Sequence, residues 1–360
     1  MAWVARLERV REGGATPPRP RPVGPWRLGW RRLRRDRWGS FSLAVLCVIL
    51  LLALFGAAVL TRAVGHDGQT PFPYAASLTG KRPVGPWTRV AALTTPRIDA
   101  YGGPLPLPRG TKTTLFVLGA DGPIGRDEAI RLFDGTRTSL EVGFLAALVA
   151  ALIALPIGTV AGYFGGRIDD IVSTLTESIM AFPLLLFLVY ANRFLLDDFS
   201  AVSWSWVLPA GVFGESVLIG AVTSFYPLRL IRAQLLVLRH AEFVEAARMV
   251  GASDRRIMRR HLLPHLVPTL LVWGAIAVGT NMLVEVGLSF LGLGVDPSIP
   301  TLGTLLSTVW GTIFNPTTYN SHDYTPWQTI FPMAAMVITV VCLNRFADAV
   351  RSALEPRATR

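Results

Sequence analysis

Three carboxylates, Glu177, Glu215 and Glu285, fall inside or at the edge of strongly apolar stretches. An ionisable side chain in such a place is costly, so its default chemistry is a position in a substrate or ion pathway or a proton relay. For Glu215, in VFGESVLIG, a helix-to-helix hydrogen bond is the competing role. His261 and His265 are spaced i, i+4, which can present two imidazoles on one helical face to a metal. Pro264 interrupts that face, and no nearby cysteine or third ligand completes a set, so no metal site is expected. Asp121, Gly125, Arg126 and Asp127, in LGADGPIGRD, could hold a cation or meet a partner protein, although Asp and Gly at this density first of all make turns. Nucleotide hydrolysis needs GxxxxGK followed by Ser or Thr. Lys81 and Lys112 are the only lysines; Gly80 precedes Lys81, but Arg82 follows it and Ala75 occupies the first glycine position. Neither a phosphate loop nor a nucleophile motif is present, so the chain is expected to be no enzyme and to bind no cofactor.

The densest cluster of charge is EFVEAARMVGASDRRIMRRHLLPHLVP, Glu242 to Pro268, set between two apolar segments. Phe243, Val244, Ala246, Ala247, Met249 and Val250 lie on a helical stretch that Gly251 can end, since glycine tolerates the left-handed conformation of a helix stop. Ser253, after Ala252, can cap a second short helix, with Asp254 favourable in its first turn. Pro264 is expected to stop that helix as the chain turns apolar again at Leu266. The paired alanines allow another surface to approach closely, and Arg248, Arg255, Arg256, Arg259 and Arg260 can meet acidic groups around it. Two readings stand at this level: a plug for a partner's groove, or an amphipathic hairpin lying on a membrane with its arginines towards headgroups.

These residues are positioned by a membrane protein. Of 360 residues, 51% are hydrophobic and 16% charged, and the mean hydropathy is +0.44, too apolar for a soluble domain of this length. A net charge of +11 would suit nucleic acid only as a basic face on a soluble domain. Here the arginines flank apolar spans, so no nucleic-acid partner is expected. Six segments have the roughly 20 apolar residues that cross a bilayer as a helix: Gly39 to Leu60, then near 140–163, 171–191, 205–227, 266–290 and 328–347. The first is longer than the ~7–15-residue apolar core of a signal peptide and should remain as an anchor. Cys47 and Cys342 each fall in an apolar segment and read as membrane-packed thiols.

Arginine placement sets the sides, because positive charge is retained in the cytoplasm. RLGWRRLRRDRW precedes the first span, eight arginines lie between Arg229 and Arg260, and Arg345, Arg351, Arg357 and Arg360 cluster around the end of the last span. Gly292 to Pro326 has no Lys or Arg. Both termini are therefore expected in the cytoplasm. The loop from Thr61 to Thr138 carries ten basic residues, but long loops translocate largely regardless of charge. The organisation expected is a basic, largely disordered tail over 1–38, an anchor over 39–60, and an irregular extracytoplasmic loop over 61–138. A five-helix core with a cytoplasmic hairpin at 240–265 follows over 139–347, then a tail over 348–360. The Arg27 to Arg37 run is first of all a topology determinant, with anionic membrane lipid as a second partner.

EAARMVGASDRRIMRRHLLP is similar to the EAA motif of permease subunits of binding-protein-dependent ABC importers. Glu245, Ala246, Ala247, Gly251, Leu263 and Pro264 match at the family's spacing, and His261 resembles the variant of the peptide and nickel branch. LGADGPIGRD resembles that branch's LGTDxxGRD loop, with Ala120 replacing Thr. AGYFGGRIDD, ESIMAFP (Glu177 to Pro183), EVGLSFLGLGVDPS (from Glu285) and LNRFADAVRSALEPR resemble further blocks in the family's order. The last departs where Asn-Leu-Leu-Gly-Asp is common, reading Asn344, Arg345, Phe346, Ala347, Asp348. The tail before Arg27 and the loop from Thr61 to about Thr114 lie outside the resemblance.

The resemblance implies an all-α, six-helix permease of the type I ABC importer class. It implies a second, similar permease as partner, two cytoplasmic ATPases carrying ATP and Mg, and an extracytoplasmic substrate-binding protein, in a bacterial or archaeal plasma membrane. Residues 245–264 would be the coupling helix seated in an ATPase groove, and Glu177, Pro183 and Glu285 would be structural or gating. Di- or oligopeptides are the leading cargo and nickel chelates the next. The alternative is a proton-coupled secondary transporter using the intramembrane glutamates.

Overall fold

The computed structural model describes residues 36–75, 83–95, 107–108, 110–121, 124–192, 211–314 and 326–354. The expected first anchor is a single apolar rod made of α1 (Arg37–Leu51), a π-helical turn (Leu52–Gly56) and α2 (Ala57–Val64). The Asp36 carboxylate accepts the Trp38 N–H at its start, and Gly65, at φ +80°, ends it.

Between α2 and the next helix, the stretch expected to be an irregular loop contains a short strand pair. β1 (Thr88–Ala91) and β2 (Thr113–Phe116) pair antiparallel, Thr88 opposite Phe116. They cover a small core of Phe72, Ala75, Val90, Phe116 and Ala120. Their TRVA and TTLF runs favour strands, but four residues each are too few to register as elements beside the proline-rich surroundings.

The helix α3 (Glu128–Phe164) has 37 residues, about 55 Å at 1.5 Å per residue against about 30 Å of hydrocarbon. It begins inside the stretch assigned to the 61–138 loop. The reason is its cap: Asp127 Oδ1 accepts the N–H groups of Ala129 and Ile130. Beyond Gly165, α4 (Gly166–Met180) and α5 (Leu184–Asn192) meet at 88°. The expected third span, 171–191, is thus broken at Pro183, which lacks an N–H and blocks a continuing helix. The expected fourth span, 205–227, lies partly outside the described residues. Its described part is α6 (Val212–Thr223), about 18 Å long and too short alone to cross, followed by α7 (Phe225–Leu238).

Then come α8 (Glu242–Met249), α9 (Asp254–Ile257), a π-helical turn (Met258–Leu262), α10 (Leu263–Phe290), α11 (Leu302–Phe314) and α12 (Pro326–Leu354). Pro264 does not stop the hairpin's second helix. Asp254–Phe290 runs as one 37-residue rod, because the π turn, with Leu263 N–H donating to Met258 O, places proline in the first turn of α10. There the missing N–H costs little. Four rods among the described residues are long and apolar enough to span a membrane, and the bent α4–α5 pair makes a fifth.

Helix α3 is the hub, packed along α6, α7 and α10. The close approach to α10 depends on Gly143: a Cβ there would sit 2.6 Å from the Val278 carbonyl oxygen. Small residues let helix backbones approach and gain dispersion contacts, the main attraction left between helices in lipid.

Candidate functional site

The polar hairpin is folded as its residues suggest at the turn and differently at its second arm. Glu242 to Met249 is helical, and Gly251 turns the chain at φ +81°, nothing lying within 4 Å of where a Cβ would be. Ser253 sits at the N-cap of α9 but makes no side-chain capping bond. Its carbonyl accepts from Arg256 and Ile257 N–H instead. Val244, Ile257 and Leu262 are fully buried against Ala154, Tyr163, Leu228, Ile231, Leu235 and Leu266. That anchored side leaves the other side free. Glu245, Ala246, Arg248, Met249, Val250, Gly251 and Ser253 are exposed, with Ala247, Ala252, His261 and Leu263 half-buried and Pro264 exposed. Met249 and Val250 are 84% and 89% exposed. An apolar tip on a hairpin that also exposes Arg248, Arg255, Arg256, Arg259 and Arg260 is an arrangement for entering an apolar groove with acidic groups around it.

Two side-chain ties that the sequence reading missed hold the hairpin's base and the helix that leads into it. Tyr163 Oη donates to Asp254 Oδ1 at 2.5 Å, and Arg248 Nη2 donates to Tyr163 Oη at 3.3 Å. The Arg248 guanidinium also lies 5.6 Å from the ring centroid. The hydrogen bond to Tyr163 holds Arg248 still more firmly in its charged form. Secondly, the Arg232 guanidinium grips both oxygens of Asp169, with Nη2 to Oδ2 at 2.9 Å, joining α7 to α4. The Tyr and Asp of AGYFGGRIDD were the only local signal for either tie. His265 stacks on Phe243 across the two arms, ring centroids 5.2 Å apart, which gives it a packing role.

The four glutamate and proline gate candidates separate into two places. Glu177 and Pro183 lie exposed on the α4–α5 elbow with Phe182, which is 64% exposed. Glu215 and Glu285 are buried in the core, within electrostatic reach of each other. Glu285 Oε2 accepts Ser139 Oγ and Oε1 accepts Ser289 Oγ, both at 2.8 Å, while Ser139 Oγ accepts Leu302 N–H at 3.1 Å. One carboxylate so ties α3, α10 and α11. Neither Glu215 oxygen has a hydrogen-bond partner of normal geometry among the described residues.

LGADGPIGRD closes on itself. Asp121 takes Arg126 N–H at 2.8 Å and Arg126 Nε at 2.7 Å, and Gly125 turns at φ +79° with its N–H on Asp121 O. Asp127 caps α3 and meets His66 Nε2 at 3.2 Å, with His66 Nδ1 3.0 Å from Thr114 Oγ1. The geometry is that of a turn that fastens the cap to the head of α3.

Residues 154–360 match the family described as the inner membrane component of binding-protein-dependent transport systems. Residues 24–77 match the N-terminal transmembrane domain of oligopeptide transport permease C. The second match carries the likeness into the tail before Arg27 and the start of the 61–138 loop, both of which the sequence motifs left out. The chain is 29% identical to the glutathione transport system permease protein GsiD of Pectobacterium atrosepticum, over 92% of this chain and 91% of that protein. It is 33% identical to the oligopeptide permease OppC of Escherichia coli, over 65% and 70%, and 27% identical to the dipeptide permease DppC of Alkalihalophilus pseudofirmus, over 93% and 91%. These likenesses leave the proton-coupled secondary transporter without support. A family match over more than half of its length, together with relatives aligned almost end to end, makes this chain a member of the inner membrane permease components of binding-protein-dependent ABC importers.

Proposed function

We propose that this permease forms one half of the translocation pathway of a type I importer for di- or oligopeptides. It pairs with a second, similar permease in a bacterial or archaeal plasma membrane, with six spans and both termini cytoplasmic. Two ATPase subunits carry ATP and Mg, and an extracytoplasmic binding protein delivers cargo. The peptide class is supported by relatives named for glutathione, oligopeptide and dipeptide transport. The tail 1–38, anchor 39–60, loop 61–138, core 139–347 and tail 348–360 keep these roles, with α3 entering the loop region.

The observation that carries the coupling role is the exposed tip at Met249 and Val250 on a base buried through Val244, Ile257 and Leu262. An apolar tip left in water is costly, and a groove in the ATPase removes that cost. The second arm continues unbroken into the Asp254–Phe290 rod, so displacement of the hairpin displaces the span. On ATP binding the two hairpins draw together and the cavity opens outward; hydrolysis resets it. The exposed elbow with Glu177, Phe182 and Pro183 lines the pathway against the companion permease. Glu285 and Glu215, being buried, set helix packing.

Affinity purification of the tagged chain in mild detergent, with mass spectrometry of what remains bound, tests the assembly. Two P-loop ATPases and a second permease are expected. A solitary chain would overturn the reading. For the hairpin, Met249→Cys should cross-link to an ATPase subunit; cross-linking to lipid alone would restore the membrane-surface alternative.

A further inference from the structure

We propose that Tyr163 is the positioning residue that binds both arms of the hairpin to the end of α3, so that the hairpin drives α3 as well as α7 and α10. The inference rests on the coupling reading above. Arg248 closes the first arm and Asp254 opens the second. They sit either side of the exposed tip, and the Tyr163 hydroxyl accepts from one and donates to the other.

The surroundings make the tie stiff. Tyr163 is 5% exposed, with its ring in the cluster that holds Val244 and Ile257. Helix α3 itself is clasped to α7 just before Tyr163: a Cβ on Gly162 would lie 2.8 Å from Leu235 Cβ and 2.9 Å from Arg232 O. A hydroxyl between a cation and a carboxylate makes charge-assisted bonds, which are about twice as strong as neutral ones. A push on the tip therefore reaches α3 at Tyr163 and travels along a helix whose other end is capped by Asp127, itself held by His66. Along the way, Ser139 passes it to Glu285 and to α11 through Leu302 N–H.

The test uses the assembled complex and hydrogen exchange, with and without a non-hydrolysable ATP analogue, so no cargo need be known. In the wild type the analogue should slow exchange both in the hairpin and in the last turns of α3. Tyr163→Phe keeps the ring and removes the hydroxyl. It is expected to leave the response of the hairpin while cutting that of α3 by about tenfold or more, since the bonds to both Arg248 and Asp254 are lost and one hydrogen bond to a charged group is already worth about that factor. A merely structural role would change exchange equally with and without the analogue. Asp254→Ala, which removes the acceptor, is the second variant; its loss at this tie is one that Tyr163→Phe already includes, so the double variant should be no worse than Tyr163→Phe alone. If α3 in Tyr163→Phe responds as in the wild type, or the two variants add, the inference is wrong. If the wild-type hairpin itself ignores the analogue, the coupling reading fails first.

Discussion

Adding one methyl group at Gly162 probes the packing on which the hairpin's base depends. In Gly162→Ala the new carbon meets Leu235 Cβ at 2.8 Å, Arg232 O at 2.9 Å and Arg232 Cα at 3.2 Å. Two of these three are backbone atoms, and ordinary contact begins near 3.4 Å, so α3 and α7 must part by about half an ångström or more. Overpacking of this kind costs roughly 1–3 kcal/mol. Replacing helical glycine by alanine returns about 0.5–1 kcal/mol by restricting the unfolded chain, which leaves a net loss of up to about 2.5 kcal/mol. Gly274→Ala is the paired control: nothing lies within 4 Å of its Cβ position, so only the gain of up to about 1 kcal/mol remains. Denaturant titration of the isolated chain in mixed micelles reads both free energies. Gly162→Ala as stable as Gly274→Ala would refute the close clasp of α3 on α7.

Ser139→Ala strips a buried hydroxyl from Glu285 and leaves the Leu302 N–H without its acceptor, and the same titration should record a loss of about 1–3 kcal/mol. Asp127→Ala removes the α3 cap and the His66 partner, at about 1–2 kcal/mol, visible as faster exchange at Ala129 and Ile130. Asp127→Asn, which keeps an acceptor oxygen, should spare those amides. Gly251→Pro cannot adopt φ +81°, so uptake should be lost while the assembled complex still hydrolyses ATP; normal uptake would sink the coupling role. Glu215→Gln should leave uptake unchanged in rate and pH dependence, as befits a buried packing group, and an altered pH profile would return Glu215 to the pathway.

Much of the chain could be read without coordinates because the deciding signals are local. Hydropathy over about 20 residues marks a rod that lipid forces to be helical, whatever it packs against. The turn at Gly251 follows from the one residue type that takes a positive φ without strain. The EAA spacing, the loop glycine Gly125 and the order of motif blocks likewise belong to contiguous residues, and they identified the family. Tertiary structure decided whatever depends on partners distant in the chain. Ser139 and Glu285 are 146 residues apart and Tyr163 and Asp254 are 91 apart, and no local pattern says which carboxylate meets which hydroxyl. The same holds for the early start of α3 and for the passage of a helix through Pro264. The first depends on Asp127 being fixed by His66, just beyond the end of the preceding span, the second on a π turn anchored by buried Ile257 and Leu262. Proline and cap residues state a local preference, and long-range packing determines whether the helix stops.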